Sequence, residues 1–219
     1  MIKRITQLIV GACVLALFAG CAERRTVDYS AYKQARPKSI LILPPLNQSP
    51  DVKATYSMLA QVTYPLAEAG YYVMPVALVD ETFRQNGMTT PSDIHELPTS
   101  KLQEIFGADA GLYVTISQYG ATYTVLNSVA VVTVEAKLVD LKTGALLWNG
   151  KASAYNNEGG NNGGGGLIGA LVAAAVKQII NSTTDASHPV AGVANARLLT
   201  AGGAQGILYG PRSDRYMTQ

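Results

Sequence analysis

The chain has 219 residues, of which 48% are hydrophobic, with 17 basic and 15 acidic residues and only two cysteines, Cys13 and Cys21. That length suffices for one large domain, or one domain with appendages, built around a single core. A formal charge of +2 without any basic run leaves no electrostatic footprint for nucleic acid.

The chain opens on Met1-Ile2-Lys3-Arg4, and residues 8–19 (LIVGACVLALFA) are apolar and uncharged, ending in small residues. Basic start, apolar stretch and small-residue cleavage site are the three parts of an export signal. The apolar run is too short to span a bilayer, which takes about 20 residues. Phe18-Ala19-Gly20-Cys21 resembles the lipobox of bacterial lipoproteins, with Phe18 where leucine is more usual. The resemblance implies cleavage between Gly20 and Cys21, diacylglycerol on the Cys21 sulfur and acylation of the new amino terminus. Two or more acyl chains hold a protein durably where one does not, so the membrane is the first expected partner.

Cys13 leaves with such a signal and Cys21 is blocked by lipid, which excludes disulfides, zinc-cysteine sites and cysteine nucleophiles from the mature chain. Loss of Lys3 and Arg4 with residues 1–20 brings the 17 basic residues into balance with the 15 acidic ones. Ala22, rather than aspartate, follows the cysteine. By resemblance to enterobacterial lipoproteins, that points to the periplasmic face of the outer membrane.

Residues 21–38 are polar after the cysteine and read as a flexible tether. A domain over 39–155 opens with residues 39–43 (SILIL), a doubly buried strand stopped by Pro44-Pro45. Apolar residues at Val52, Tyr56, Leu59, Val62 or Thr63, Leu66 and Ala69 predict a helix with one core-facing stripe, with Pro65 kinking it or opening a new turn and Gly70 ending it. Residues 71–74 form the next strand, completing a βαβ unit. A short helix over 78–86, a second one begun by Thr90-Pro91-Ser92-Asp93 and a third over 100–106 follow. Leu112, Val114 and Ile116 alternate with Tyr113, Thr115 and Ser117, and residues 129–139 alternate in the same way. After a turn at 140–144, Leu146, Trp148, Ala152 and Ala154 share one face of a return strand. The expected fold is α/β: a mixed sheet covered by helices, opening with βαβ and closing with antiparallel strands.

Residues 156–166 form a Gly/Asn-rich loop, and residues 167–219 a C-terminal helical extension packing on the domain. The glycines of GGNNGGGG are followed by Leu167-Ile168, not by the lysine and hydroxyl residue of a phosphate-binding loop. Residues 167–180 are too short for a membrane span and read as a core helix, with membrane or oligomer contact as the sharper alternative.

The sequence SILILPPLN, the helix after it, AGYYVMP, GADAGLYVTI and LVDLKTGALLW together resemble the amino-terminal domain of TolB and the periplasmic domain of the curli secretion pore. Nearly the whole mature chain, through the closing LYGPR, is similar to a family of bacterial lipoproteins known through a neisserial vaccine-candidate antigen. That resemblance implies fold and location. The broader resemblance to the curli pore implies envelope protein partners, among them curli-pore-like (CsgG-like) lipoproteins, and self-association into a homo-oligomer.

Tyrosine is the commonest aromatic, at 12 against 3 phenylalanines and 1 tryptophan. Tyr113, Tyr119 and Tyr123 are placed on the polar side of the strand region, where amphipathic rings suit an interaction surface. His95 and His188 have no partner at catalytic or metal spacing, and neither G-x-S-x-G nor H-E-x-x-H occurs. No catalytic residue, metal or cofactor is expected. The functional expectation is a non-enzymatic, outer-membrane-anchored component of an envelope assembly, for secretion or surface-structure biogenesis. Its alternatives are an activator of a cell-wall (penicillin-binding) enzyme and a hydrolase built around one of the histidines.

Overall fold

The computed structural model describes residues 27–123, 128–156, 186–203 and 205–218. The lipobox, the Gly/Asn-rich stretch 157–166 and the expected helix over 167–180 lie outside them. The fold is mixed α/β. In chain order it contains α1 (Ser30–Ala35), β1 (Ser39–Ile42), β2 (Leu46–Asn47), α2 (Ala54–Glu68), β3 (Tyr72–Val73) and α3 (Val76–Gln85). These are followed by α4 (Pro91–His95), α5 (Thr99–Phe106), β4 (Ala110–Tyr123), β5 (Ser128–Asp140), β6 (Leu146–Tyr155) and α6 (Ser187–Leu199).

The strands lie in the order β3-β1-β4-β5-β6. β1 is parallel to both β3 and β4, giving the expected βαβ opening, and β4, β5 and β6 form an antiparallel meander. The prolines at 44 and 45 cannot donate to a ladder, and pairing resumes in β2, also parallel to β4. Between Ile42↔Leu112 and Leu46↔Thr115 one strand advances four residues and the other three, so the proline pair acts as a one-residue bulge.

β1 divides the interior. Ile40 and Ile42 point into a large core with α2, α6 and the strand residues Leu112, Val114, Ile116, Val132, Val134 and Leu138. Leu41 and Leu43 point the other way, into a smaller core with Val79, Phe83, Ile94, Leu102 and Leu141. Helices α3, α4 and α5 therefore cover the second face of the sheet only around β1.

Several local expectations are corrected. Helix α2 starts at Ala54, so its buried stripe is Ala54, Met58, Leu59, Val62 and Leu66, while Val52 is 87% exposed and Tyr56 lies outward. Pro65 is accommodated inside the helix, which runs on to Glu68. In β6, a register shift opposite Leu138 and Val139 turns Leu147 inward and leaves Leu146 48% exposed.

Residues 27–38, read as part of a tether, fold onto the domain: α1 buries Tyr32, whose hydroxyl lies 2.7 Å from that of Tyr71. Tyr71 in turn donates to the Leu208 carbonyl at 2.7 Å, which fixes Tyr32 as the donor of the pair. Burial pushes both phenols above their ordinary pKa.

The closing LYGPR has a structural role. Gly210 N donates to Ala69 O at 2.7 Å and Arg212 N to Gly70 O at 3.0 Å, sewing the C-terminal segment to the end of α2. Gly70 has φ +94, and a Cβ there would stand 2.5 Å from Ser213 N. Only glycine permits both the conformation and the approach.

Candidate interaction surface

Beyond the reach of α3–α5, the second face of β4, β5 and β6 carries Thr115, Ser117, Glu135, Lys137, Asn149 and Lys151, which line a groove of about 960 Å³. Its rim is made by His95 and Thr99 on the helix side and by Val27 and Gln205 from the terminal segments. Lys151 donates to Glu135 at 2.7 Å across neighbouring strands. Both side chains are well exposed, so the pair adds little stability. It does leave the floor of the groove with mixed charge.

The three tyrosines separate. Tyr113 is half-buried, lines the groove and meets His95 edge-on at 5.3 Å between ring centres. Burial raises its phenol pKa. A register shift in β4 between Ile116 and Gln118 inverts the alternation beyond it. Tyr119 consequently faces the large core at 4% exposure rather than the accessible side. Tyr123 ends β4, with its side chain outside the described residues.

His95 has no motif-spaced partner in the sequence, yet it is not isolated in the fold. It is instead wedged between Tyr113 and the Pro44 carbonyl, which lies 2.9 Å from Nε2. A carbonyl only accepts, so Nε2 carries the hydrogen. Desolvation lowers the His95 pKa below 6.5, outweighing the opposing effect of that hydrogen bond.

The other histidine shows what spacing could not. Tyr119 donates to Ser57 Oγ at 2.6 Å, and Ser57 Oγ lies 2.7 Å from His188 Nδ1. Gln61 Nε2 donates to the His188 carbonyl at 2.9 Å. Ser57 and His188 stand 131 positions apart in sequence, so no motif announces them. A serine-histidine hydrogen bond has the geometry of an activated nucleophile, but His188 is exposed on α6 and neither residue lines the groove. No convergent pocket of the kind a hydrolase needs is built around them among the described residues. The bond ties α2 to α6. Among the described residues no group of three or more His, Cys, Asp or Glu is placed to hold a metal, and no helix is long and apolar enough to cross a membrane.

The GNA1162-like lipoprotein family model matches residues 27–212, which span the whole of this architecture from the segment before α1 to the LYGPR strap. A lipoprotein of Neisseria meningitidis serogroup B, NMB1124/NMB1162, is 47% identical over 207 residues, 94% of this chain and 95% of the relative. The chain belongs to the GNA1162-like lipoprotein family. The crystal structure of lipoprotein GNA1162 from Neisseria meningitidis is 55% identical, covers 67% of this chain and 100% of its own, and aligns with a TM-score of 0.55. A PelC dodecamer from Paraburkholderia phytofirmans is similar at 15% identity and a TM-score of 0.45, over 74% of this chain and 86% of its own. Membership in a lipoprotein family implies an exported chain held at a membrane.

Proposed function

We propose that this GNA1162-like lipoprotein is anchored through Cys21 to the outer membrane, faces the periplasm, and acts without catalysis, as a protein-binding component of an envelope assembly. The observation that carries the reading is the polar face of β4–β6, which no helix among the described residues covers and where Tyr113, Thr115, Glu135 and Lys137 line a groove of about 960 Å³. An amphipathic ring beside paired charges suits a wet protein contact. Cys21 at the end of an export signal and Ala22 after it support the address.

The competing reading, an activator that reaches a cell-wall enzyme, needs a long tether. With α1 folded onto the domain, only residues 22–26 separate Cys21 from Val27, at most about 20 Å when extended. That length favours a partner at the membrane surface.

The test is recovery of partners from gently solubilised envelopes with tagged wild type, Cys21→Ser and the groove variant Tyr113→Ala/Lys137→Glu. A stoichiometric protein partner, lost in both variants, is the expected result. A partner retained by the groove variant would move the contact elsewhere.

A further inference from the structure

On the covered side of the sheet, α1 and the C-terminal segment enclose a second, smaller cavity of about 120 Å³, lined by Tyr32, Lys33, Arg36, Tyr71, Tyr216 and Met217 among others. Its back wall has no phenol hydrogen to spare, because Tyr32 donates to Tyr71 and Tyr71 to the Leu208 carbonyl. What it presents outward is cationic. Residues 33–38 and 209–217 carry Lys33, Arg36, Lys38, Arg212 and Arg215 against Asp214, with the Asp109 carboxylate beside Lys38, whose backbone N donates to it at 2.8 Å. All five cations are exposed, and none takes part in a salt bridge among the described residues. Arg212 lies over the Tyr72 ring at 5.3 Å and Arg215 over the Tyr209 ring at 5.6 Å, so two of the guanidinium groups are held on aromatic faces.

The backbone marks the same place. Among the described residues only two other than glycine have positive φ, Arg36 at 46° and Met217 at 65°, and both line this cavity. Arg36 is the left-handed residue that ends α1, its N–H donating to the Tyr32 carbonyl. Met217, 60% exposed, adds an apolar tip to a rim of tyrosines, the mixture found at membrane interfaces.

The tether joins the domain at Val27, on the rim of the groove, so distance alone does not separate the two surfaces. Charge does, since the groove floor pairs Lys151 with Glu135 while the α1 and C-terminal side is cationic. Only residues 22–26 lie between Cys21 and Val27, a span of at most about 20 Å. They are Ala22, Glu23, Arg24, Arg25 and Thr26, with a net charge of +1. α1, which carries Lys33, adds six residues, about 9 Å of helix. We propose that the surface formed by Lys33, Arg36, Arg212 and Arg215 rests on the anionic phospholipid headgroups of the membrane that holds Cys21. The inference rests on the anchored reading given above. It adds an orientation: the α1 and C-terminal side lies against the lipid. Each basic residue near an anionic surface strengthens adhesion about fivefold.

The test uses the full lipidated protein, with acylation of Cys21 established by mass. The mature chain has no other cysteine, so Thr218→Cys, beside the surface, or Ser92→Cys, on α4 across the sheet, gives a single site for a fluorescent dye. Each is reconstituted sparsely into phosphatidylcholine vesicles with or without phosphatidylglycerol, containing a spin-labelled headgroup quencher. Several-fold stronger quenching at Thr218→Cys than at Ser92→Cys is expected, dependent on phosphatidylglycerol. Lys33→Glu/Arg36→Glu abolishes it, and Lys33→Gln/Arg36→Gln, which removes charge without reversing it, weakens it. Equal quenching at the two sites, or indifference to phosphatidylglycerol or to charge reversal, overturns the proposal. Dye self-quenching that grows with protein density and ignores lipid composition overturns it in favour of a second copy on this surface. An unacylated chain overturns the anchor and this orientation together, whereas an acylated chain without preference overturns only the orientation.

Discussion

The two faces of the β4–β5–β6 sheet differ in what their residues are used for. Toward α2 and α6, Leu112, Val114, Ile116, Val132, Val134 and Leu138 are wholly excluded from solvent. Toward the groove, alternate positions on the same strands are Thr115, Glu135 and Lys137, with Asn149 and Lys151 beside them, and no helix among the described residues covers them. One ladder thus has two characters: the covered face supplies the stability, and the other carries polar and charged side chains over which no helix among the described residues packs.

The largest test of this division is a pair of truncations on one strand. Leu112→Ala is expected to cost about 2–5 kcal/mol in urea unfolding, whereas Thr115→Ala stays within about 0.5 kcal/mol. Comparable losses at both positions would mean the second face is also packed. Next in size is Gly70→Ala, where the added Cβ meets Ser213 and the backbone must hold φ +94. A loss of about 1–3 kcal/mol is expected, with earlier proteolysis after residue 200 as the strap on the covered side loosens.

The helix-covered end of the second face has its own signature in pH. The His95 pKa is lowered in the fold, so the unfolded chain takes up the proton first. Stability is therefore full above pH 6.5 and falls as pH drops from 6.5 toward the folded value. His95→Gln is expected to flatten that part of the urea-midpoint profile, and an unchanged profile would remove His95 as its source. The smallest effect on stability is expected of Lys137→Glu in the groove, within about 0.5 kcal/mol. Its partner recovery should nevertheless fall.

Most of the covered face is legible in the sequence, because alternation at 112–116 and 129–139 and the apolar run at 39–43 carry the same message as the ladder. Where the reading slips, the cause is a shift in period. One residue of irregularity near Ser117 sends Tyr119 inward, and another at β6 exchanges the roles of Leu146 and Leu147. Alternation cannot announce a bulge. Residues 27–38 look like tether because α1 is short and polar, and Tyr32 owes its burial to Tyr71 and the C-terminal segment, far along the chain. The Ser57–His188 tie escapes for the same reason. The groove itself has a trace in the polar half of each alternating strand, but only the tertiary structure shows that α3–α5 reach no further than its rim at His95 and Thr99.

The central claim, that the open face of β4–β6 contacts a protein partner, is tested most directly by photocrosslinking in intact envelopes. A photoreactive amino acid is placed at Lys137 in the groove or at Glu104 on α5, with Cys21 unchanged. The expected result is a discrete higher-mass adduct from position 137 that is missing from position 104. Adducts of equal yield from both positions, or none from 137 when the protein is present at its natural level, would contradict it.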